Sequence, residues 1–242
     1  MPHSDLTALA AEYAALDAPQ RLTRALRHPA LGRLAVVSSF GADSVVLLHL
    51  AAQADRDLPV IFLDTQMLFA ETLTYQHQVA QRLGLRDLRV IRPNPGDLAL
   101  DDPDGYLHRR DADACCAIRK TRPLEQALEG FDAWATGRKR FQSDSRAALP
   151  VIEAEAGTRR IKLNPLADWS ATDLAAYMDR HDLPRHPLVA RGFRSIGCAP
   201  CTSPTKAGED PRAGRWRGQD KVECGIHFEN GRIVRPRQEE AA

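Results

Sequence analysis

The sequence predicts an α/β domain in three layers, a parallel sheet with helices on both faces. Two observations predict it. Short apolar runs of strand length alternate with longer segments whose apolar residues fall at helical spacing. The length, 242 residues, suits one large domain, or one domain with an appended subdomain. Residues 5 to 27 read as two short helices broken near DAPQ. RLAVVSS (33 to 39) reads as a buried strand, and a helix follows from at or near Asp43. LPVIFLDT is a second strand, and AETLTYQHQVAQRLG a helix that stops at Gly84. LRDLRVIRP supplies a third strand. IRKTRPLEQALEG is a helix ending at Gly130, with Pro123 in its first turn or bending it. DAWATG is a fourth strand and RRIKLNPL a fifth. DWSATDLAAYMDRHDLP is a helix with Ser170 as N-cap and Asp173 three residues on.

Past Pro184 the pattern dissolves, and from Thr202 the chain is polar and rich in Gly, Pro and Arg. The expected organisation is a folded domain over 1–201 and a mobile C-terminal tail over 202–242 that docks conditionally. Net charge is +1, so no global field points to nucleic acid or an acidic membrane, and any anion site must come from local clustering. The first residues lack a basic segment followed by an apolar core, and VVLLHLAAQA is too short to span a bilayer. The expected location is the cytoplasm. Thiols stay reduced there, so clustered cysteines point to metal or catalytic sites before disulfides.

In an open parallel sheet, ligands bind beyond the carboxyl ends of the strands. Three loops there carry candidate chemistry. SSFGADS (38 to 44) has small residues and Gly41, which let backbone N–H groups face an anion at a helix N-terminus; Ser38, Ser39 and Ser44 add hydroxyls. Asp64 and Thr65 end the second strand. ATGRKRFQSDSR follows the fourth, where Lys139, Arg140 and Arg146 are candidate anion contacts. Each stretch has a plainer explanation, as a capped turn or a solvated basic loop, and position at one end of the sheet favours the ligand-binding one.

There are five cysteines: the adjacent Cys115 and Cys116, the pair Cys198 and Cys201, and the single Cys224. A structural zinc site normally has two short-spaced pairs, and only the second pair fits that pattern. Adjacent cysteines project differently, which suits a wider [4Fe–4S] cluster better than one tetrahedral ion. Spacing alone leaves both open and favours the cluster. Cys224 lies in DKVECGIHFENG, near Lys221 and His227, with Arg212 and Arg215 shortly before; a cationic setting raises the thiolate fraction.

SSFGADS resembles the SGGxDS phosphate loop of the adenine nucleotide α-hydrolase, or PP-loop, superfamily, with Phe40 in place of Gly. LDTQMLFAET looks like the LDTG…F.ET segment of sulfonucleotide reductases, with Gln66 in place of Gly. The basic loop looks like TGxRRxQS, with Lys139 and Phe141 as departures. CCAIRKTRPLEQAL, KLNPLADWSATDLAAYM, HPLVARGFRSIGCAPCT and KVECGIH stand in the order found in iron–sulfur adenylyl-sulfate (APS) reductases of assimilatory sulfate reduction. The similarity runs from about Leu34 to His227.

The resemblance implies an adenine nucleotide α-hydrolase-like fold. It implies a [4Fe–4S] cluster on Cys115, Cys116, Cys198 and Cys201, with Lys120 between the cluster and the substrate's sulfate. It implies Cys224 as nucleophile on adenylyl sulfate, a thioredoxin or glutaredoxin-like reductant, and homo-oligomers. Ser38, Ser39, Phe40, Gly41, Ser44, Asp64, Thr65, Lys139, Arg140, Arg212, Arg215 and His227 would contact substrate, and a bulky Phe40 would leave less room for a pyrophosphate. The rivals are 3′-phosphoadenylyl sulfate (PAPS) as substrate, a PP-loop ATP pyrophosphatase, and a zinc-stabilised nucleotide-binding module.

Overall fold

The computed structural model describes residues 3–219 together with Lys221 and Glu223. Six strands form one sheet: β1 (Leu34–Ser38), β2 (Val60–Leu63), β3 (Leu88–Ile91), β4 (Ala133–Thr136), β5 (Ile152–Ala154) and β6 (Ile161–Leu163). Their order is β3-β2-β1-β4-β6-β5. Every pairing is parallel except the last, in which β5 runs antiparallel to β6 with Ile152 opposite Leu163. The expected fifth strand is therefore β6. The chain enters it through the short edge strand β5, which the sequence reading left out and which makes the sheet mixed.

β1 is buried along its whole length, as a strand covered on both faces must be. Its residues divide by the period of two. Leu34 and Val36 pack with Val60, Phe62 and the helices α2 (Ala18–Ala25), α3 (Ser44–Ala54), α4 (Ala70–Leu83) and α9 (Ala171–Arg180). Ala35 and Val37 pack on the other face with Ile61, Trp134, Leu124 and Leu128. α1 (His3–Ala14) and α2 are tied to the sheet by Arg21. Its buried guanidinium donates to Tyr13 O, Pro165 O and both Asp168 oxygens.

The helix caps follow the sequence. Asp43 precedes α3, Gly84 closes α4 at φ 66°, and Ser170 and Asp173 form a reciprocal cap on α9. The third long helix differs. Two short helices, α5 (Pro95–Asp101) and α6 (Leu107–Arg110), precede it, and the run itself begins earlier, with α7 (Ala112–Cys116). A π-turn over Ala117–Thr121 then joins α7 to α8 (Arg122–Ala127). Pro123 lacks an N–H and its ring crowds the preceding turn, and a π-turn absorbs that crowding without ending the helix. Pro123 thus sits in the first turn of α8, one of the two expected placements, with a local widening before it, and both cysteines lie inside the helical run.

After α9 the chain is held by His186, which is buried. Its Nδ1 accepts the Leu188 N–H, so the neutral ring donates from Nε2 to Thr72 Oγ1 at 3.0 Å. Burial pushes its pKa down to about 4, with Glu71 opposing weakly. The unfolded chain takes up this proton near pH 6.5, before the folded state does. The contribution of His186 to stability is therefore full above pH 6.5 and is lost as pH falls toward 4. In urea unfolding, the wild type should lose about 2 kcal/mol more than His186→Asn between pH 7.5 and 5.

Candidate active site

A cavity of about 190 Å³ opens at the carboxyl ends of β1 and β4. These strands are neighbours in the sheet, and the connections leave them in opposite directions, which is where open α/β sheets bind ligands. Ser38, Ser39, Gly41 and Ser44 line it from the loop after β1, and Thr65 from the loop after β2. The loop after β4 contributes Arg138, Lys139, Gln142 and Arg146. Lys120, Arg194, Cys198, Arg212 and Arg215 complete the wall. Seven of the lining side chains are cationic and one, Asp43, is acidic. Such a site selects an anion.

The first loop is closed by its own hydroxyls. Ser38 Oγ accepts the Phe40 N–H and Ser44 Oγ accepts the Gly41 N–H, so these two amides are already engaged. Gly41 sits close to the chain around Ile196: a Cβ there would lie 3.2 Å from the Ile196 carbonyl oxygen, a tight approach. Phe40 does not line the cavity. Its backbone is left-handed at φ 48°, and its ring is wholly buried, edge-on to Phe62 with centroids 5.1 Å apart. The expectation that its bulk narrows the phosphate site is therefore wrong, because a left-handed turn sends the ring into the core.

Asp64 is also outside the cavity. One carboxylate oxygen accepts the Gln66 N–H, and the other pairs with Arg92 at 2.9 Å. It shapes the loop in which Gln66 takes φ 60°, the conformation that a glycine adopts most easily. Thr65 does face the site, its Oγ1 3.2 Å from Cys198 Sγ.

In the basic loop Lys139 lines the cavity and Arg140 does not. Lys139 is 2% exposed and its Nζ lies 3.3 Å from Asp43. Burial pushes its pKa down, and the Asp43 carboxylate opposes that. Arg140 is exposed, and its Nε donates to Leu149 O at 2.9 Å, so it holds the loop's return. Arg138, next to it on the other side, faces the site instead and is paired with Glu153 and Asn164. Arg140 opens a 3₁₀ turn over Arg140–Gln142, while Arg138 and Lys139 precede it, and that change of backbone direction is not visible in the spacing.

Arg215 stacks on Trp216 with its guanidinium carbon 4.4 Å from the ring centroid, and a Cβ on Gly197 would overlap its guanidinium. Its Nε is buried without a hydrogen-bond partner among the described residues, a donor left for a ligand. The segment after Cys201 is folded back here. The Trp216 N–H donates to Cys201 O, and Thr202 pairs with Arg215. Glu223 takes Arg146 through both oxygens, at 2.6 and 2.9 Å, and Arg212 at 3.1 Å. Burial raises the pKa of this carboxyl, but the pull of Arg146, then Arg212, outweighs that and lowers it. Cys224 and His227 lie outside the described residues. Lys221, expected beside Cys224 as a cation, is paired with Asp113.

Cys115, Cys116 and Cys198 are buried, Cys201 is half-buried, and all four are free thiols. Burial pushes Cys115 up to about 12, with Cys116 and then Cys198 and Cys201 adding to it against Arg119. Cys201 is raised by burial and by Cys198 and Cys116. The four sulfurs therefore stand in one another's field. Cys198 goes the other way: burial would raise it, but Lys120, then the Thr65 hydroxyl and Arg215, hold it low. Among the described residues no three His, Cys, Asp or Glu side chains are gathered tightly enough to hold a metal ion.

The two neighbours in the basic loop should separate cleanly. Lys139→Met should weaken binding of inorganic phosphate about tenfold or more in calorimetric titration. Arg140→Met should change it less than about twofold and cost about 1 kcal/mol of stability through the lost bond to Leu149 O.

A family model, the phosphoadenosine phosphosulfate reductase domain, matches residues 33–204. A protein named adenosine 5'-phosphosulfate reductase from Mesorhizobium japonicum is 52% identical over 223 residues, which is 92% of this chain and 86% of its own. One of the same name from Chelativorans sp. is 55% identical over 197 residues, 81% of this chain and 80% of its own. A crystal structure of phosphoadenylyl-sulfate (PAPS) reductase from Candida auris in a phosphate complex superposes with a TM-score of 0.71 at 26% identity, covering 84% of this chain and 98% of that one. The architecture is the adenine nucleotide α-hydrolase-like one that the loops led us to expect. By these matches the chain belongs to the phosphoadenosine phosphosulfate reductase family.

Proposed function

We propose that this protein reduces adenylyl sulfate to sulfite and AMP, with a thioredoxin or glutaredoxin-like dithiol as reductant, in assimilatory sulfate reduction. The observation that carries the proposal is the cationic cavity at the ends of β1 and β4, with Cys198 in its wall. The similarity to proteins named adenosine 5'-phosphosulfate reductase supports the substrate. We assign the nucleotide-binding role to residues 1–201, the nucleophile to the segment 202–242, and the location to the cytoplasm, where the thiols stay reduced.

Ser38, Ser39, Gly41, Ser44 and Thr65 face the nucleotide in this reading, and Lys120, Lys139, Arg212, Arg215 and His227 face its anionic groups. The Cys224 thiolate attacks the sulfur of adenylyl sulfate. A bond forms between the two sulfurs, the bond from sulfur to the phosphate oxygen breaks, and AMP leaves with its electron pair. Neighbouring cations stabilise the charge that builds on the leaving phosphate. A thioredoxin thiolate then attacks Cys224 Sγ and sulfite leaves with the pair of the sulfur–sulfur bond. A second thioredoxin thiol resolves the mixed disulfide, so the two electrons come from thioredoxin.

Cys115, Cys116, Cys198 and Cys201 fit a [4Fe–4S] cluster. They are four thiols without a His or carboxylate among them, three buried and one half-buried, with Cys115 and Cys201 each perturbed by the other cysteines, and thiolates are the donor set that such a cluster takes. When bound, the cluster supplies structure and an electrostatic field. In this reading Lys120 acts on both sides, supported by its position in the cavity wall and its pull on the Cys198 thiol.

Incubated anaerobically with adenylyl sulfate and no reductant, the protein should gain a single sulfonate on Cys224, seen by intact mass and peptide mapping. Thioredoxin should remove it with release of sulfite. Cys224→Ser should gain none, and Cys198→Ser should lose iron and its absorbance near ~400 nm. An iron-loaded wild type that forms no adduct with adenylyl sulfate would sink this reading and bring PAPS, the substrate in the name of the solved relative, to the front.

A further inference from the structure

Two ion pairs of opposite sense stand two residues apart at the end of the described chain. Lys221, 7% exposed, pairs with Asp113 on α7, two residues before Cys115, and its ammonium lies 5.7 Å from the Trp216 ring centroid. Glu223 is held bidentately by Arg146, in the loop after β4, and again by Arg212. The side chains of Glu223, Arg146 and Arg212 are 14%, 9% and 13% exposed, so water screens these pairs little. A bidentate, partly buried pair holds a segment far better than a surface bridge does.

The alternation of sign also fixes direction. Shifted two residues one way, Lys221 would meet Arg146 and Arg212; shifted two the other way, Glu223 would meet Asp113. Each wrong arrangement sets like charges together, so one register survives. Consecutive Cα atoms are about 3.8 Å apart, so a fixed Glu223 bounds the reach of the residue after it. That residue is Cys224.

We propose that Lys221 and Glu223 form a two-point electrostatic latch that holds the segment leading to Cys224 against Arg146 and Arg212 of the cavity wall, with Glu223 as the positioning residue. The proposal rests on the reading of Cys224 as nucleophile. A different role is conceivable for the same carboxylate: a stand-in anion that the substrate displaces from Arg146 and Arg212. The structure favours the latch. Neither Lys221 nor Asp113 lines the cavity, so an anion entering it leaves that anchor in place; Lys120, Lys139 and Arg215 face the ligand outside both anchors, and Arg212 serves Glu223 and the ligand together.

The test uses full-length, iron-loaded protein. At saturating adenylyl sulfate without reductant, Glu223→Gln and Lys221→Asp should form the Cys224 adduct about 10- to 100-fold more slowly than wild type, while their dissociation constants for AMP change less than about threefold. The charge-swapped double variant D113K/K221D should recover most of the rate lost in Lys221→Asp. Unchanged rates, or tighter AMP binding in Glu223→Gln with no loss of rate, would overturn the latch. A second readout needs no substrate. Alkylation of Cys224 by iodoacetamide should accelerate severalfold in Glu223→Gln, and an unchanged alkylation rate would also overturn it. A wild type that is alkylated normally but forms no adduct would instead count against adenylyl sulfate as substrate.

Discussion

The ion pair between Arg119 and Asp102 is the contact on which the site depends. Their side chains are 6% and 0% exposed, and the pair closes at 2.6 Å. Arg119 also donates to Thr65 O at 3.0 Å, and Asp102 accepts the Leu107 N–H at 2.8 Å. One buried pair thus joins the end of β2, the helix that carries Cys115 and Cys116, and the short helices before it. Thr65 passes the connection on, since its hydroxyl reaches Cys198 Sγ. Removing either charge would strand the other in a dry interior at a cost of about 3 to 5 kcal/mol. Because Arg119 lies in the π-turn, its neighbour Lys120 can face the cavity while Arg119 stays inside.

The charge of the protein is concentrated where the composition gives no sign of it. A net charge of +1 produces no long-range field worth the name. Yet the cavity gathers seven cationic side chains from the loop after β4, the π-turn and the chain after α9. Glu153, Asp43 and Glu223 are among their carboxylate partners, and of these only Asp43 lines the cavity itself. Attraction to an anion is therefore short-ranged and strongest inside the cavity, where water screens least.

The fold was legible because its signals are local. Apolar runs marked the strands, Gly84 and the Ser170–Asp173 pair marked helix ends, and the alternation of the two gave a parallel sheet. The loops at the strand ends were legible for the same reason, as clusters of small and basic residues. What escaped depended on direction or on distant partners. β5 is a three-residue edge strand with hydrogen bonds on one side only, too short to show a period. Phe40 and Arg140 stand in the right loops but turn away from the site, because a left-handed φ sends the one into the core and a 3₁₀ turn carries the other outward. Glu223 carried no signal beyond being an acid beside a cysteine; Arg146, which holds it through both oxygens, is 77 residues away in sequence.

Phe40 has a consequence beyond its own packing. A glycine in that left-handed turn would leave the loop many conformations to lose in the anion binding proposed for it. The phenyl ring, seated against Phe62, has removed that freedom during folding, and the serine hydroxyls hold the amides on either side. The binding loop therefore arrives ordered, and association loses less entropy there. A rigid cradle also discriminates by shape, because it cannot relax around an anion of the wrong size.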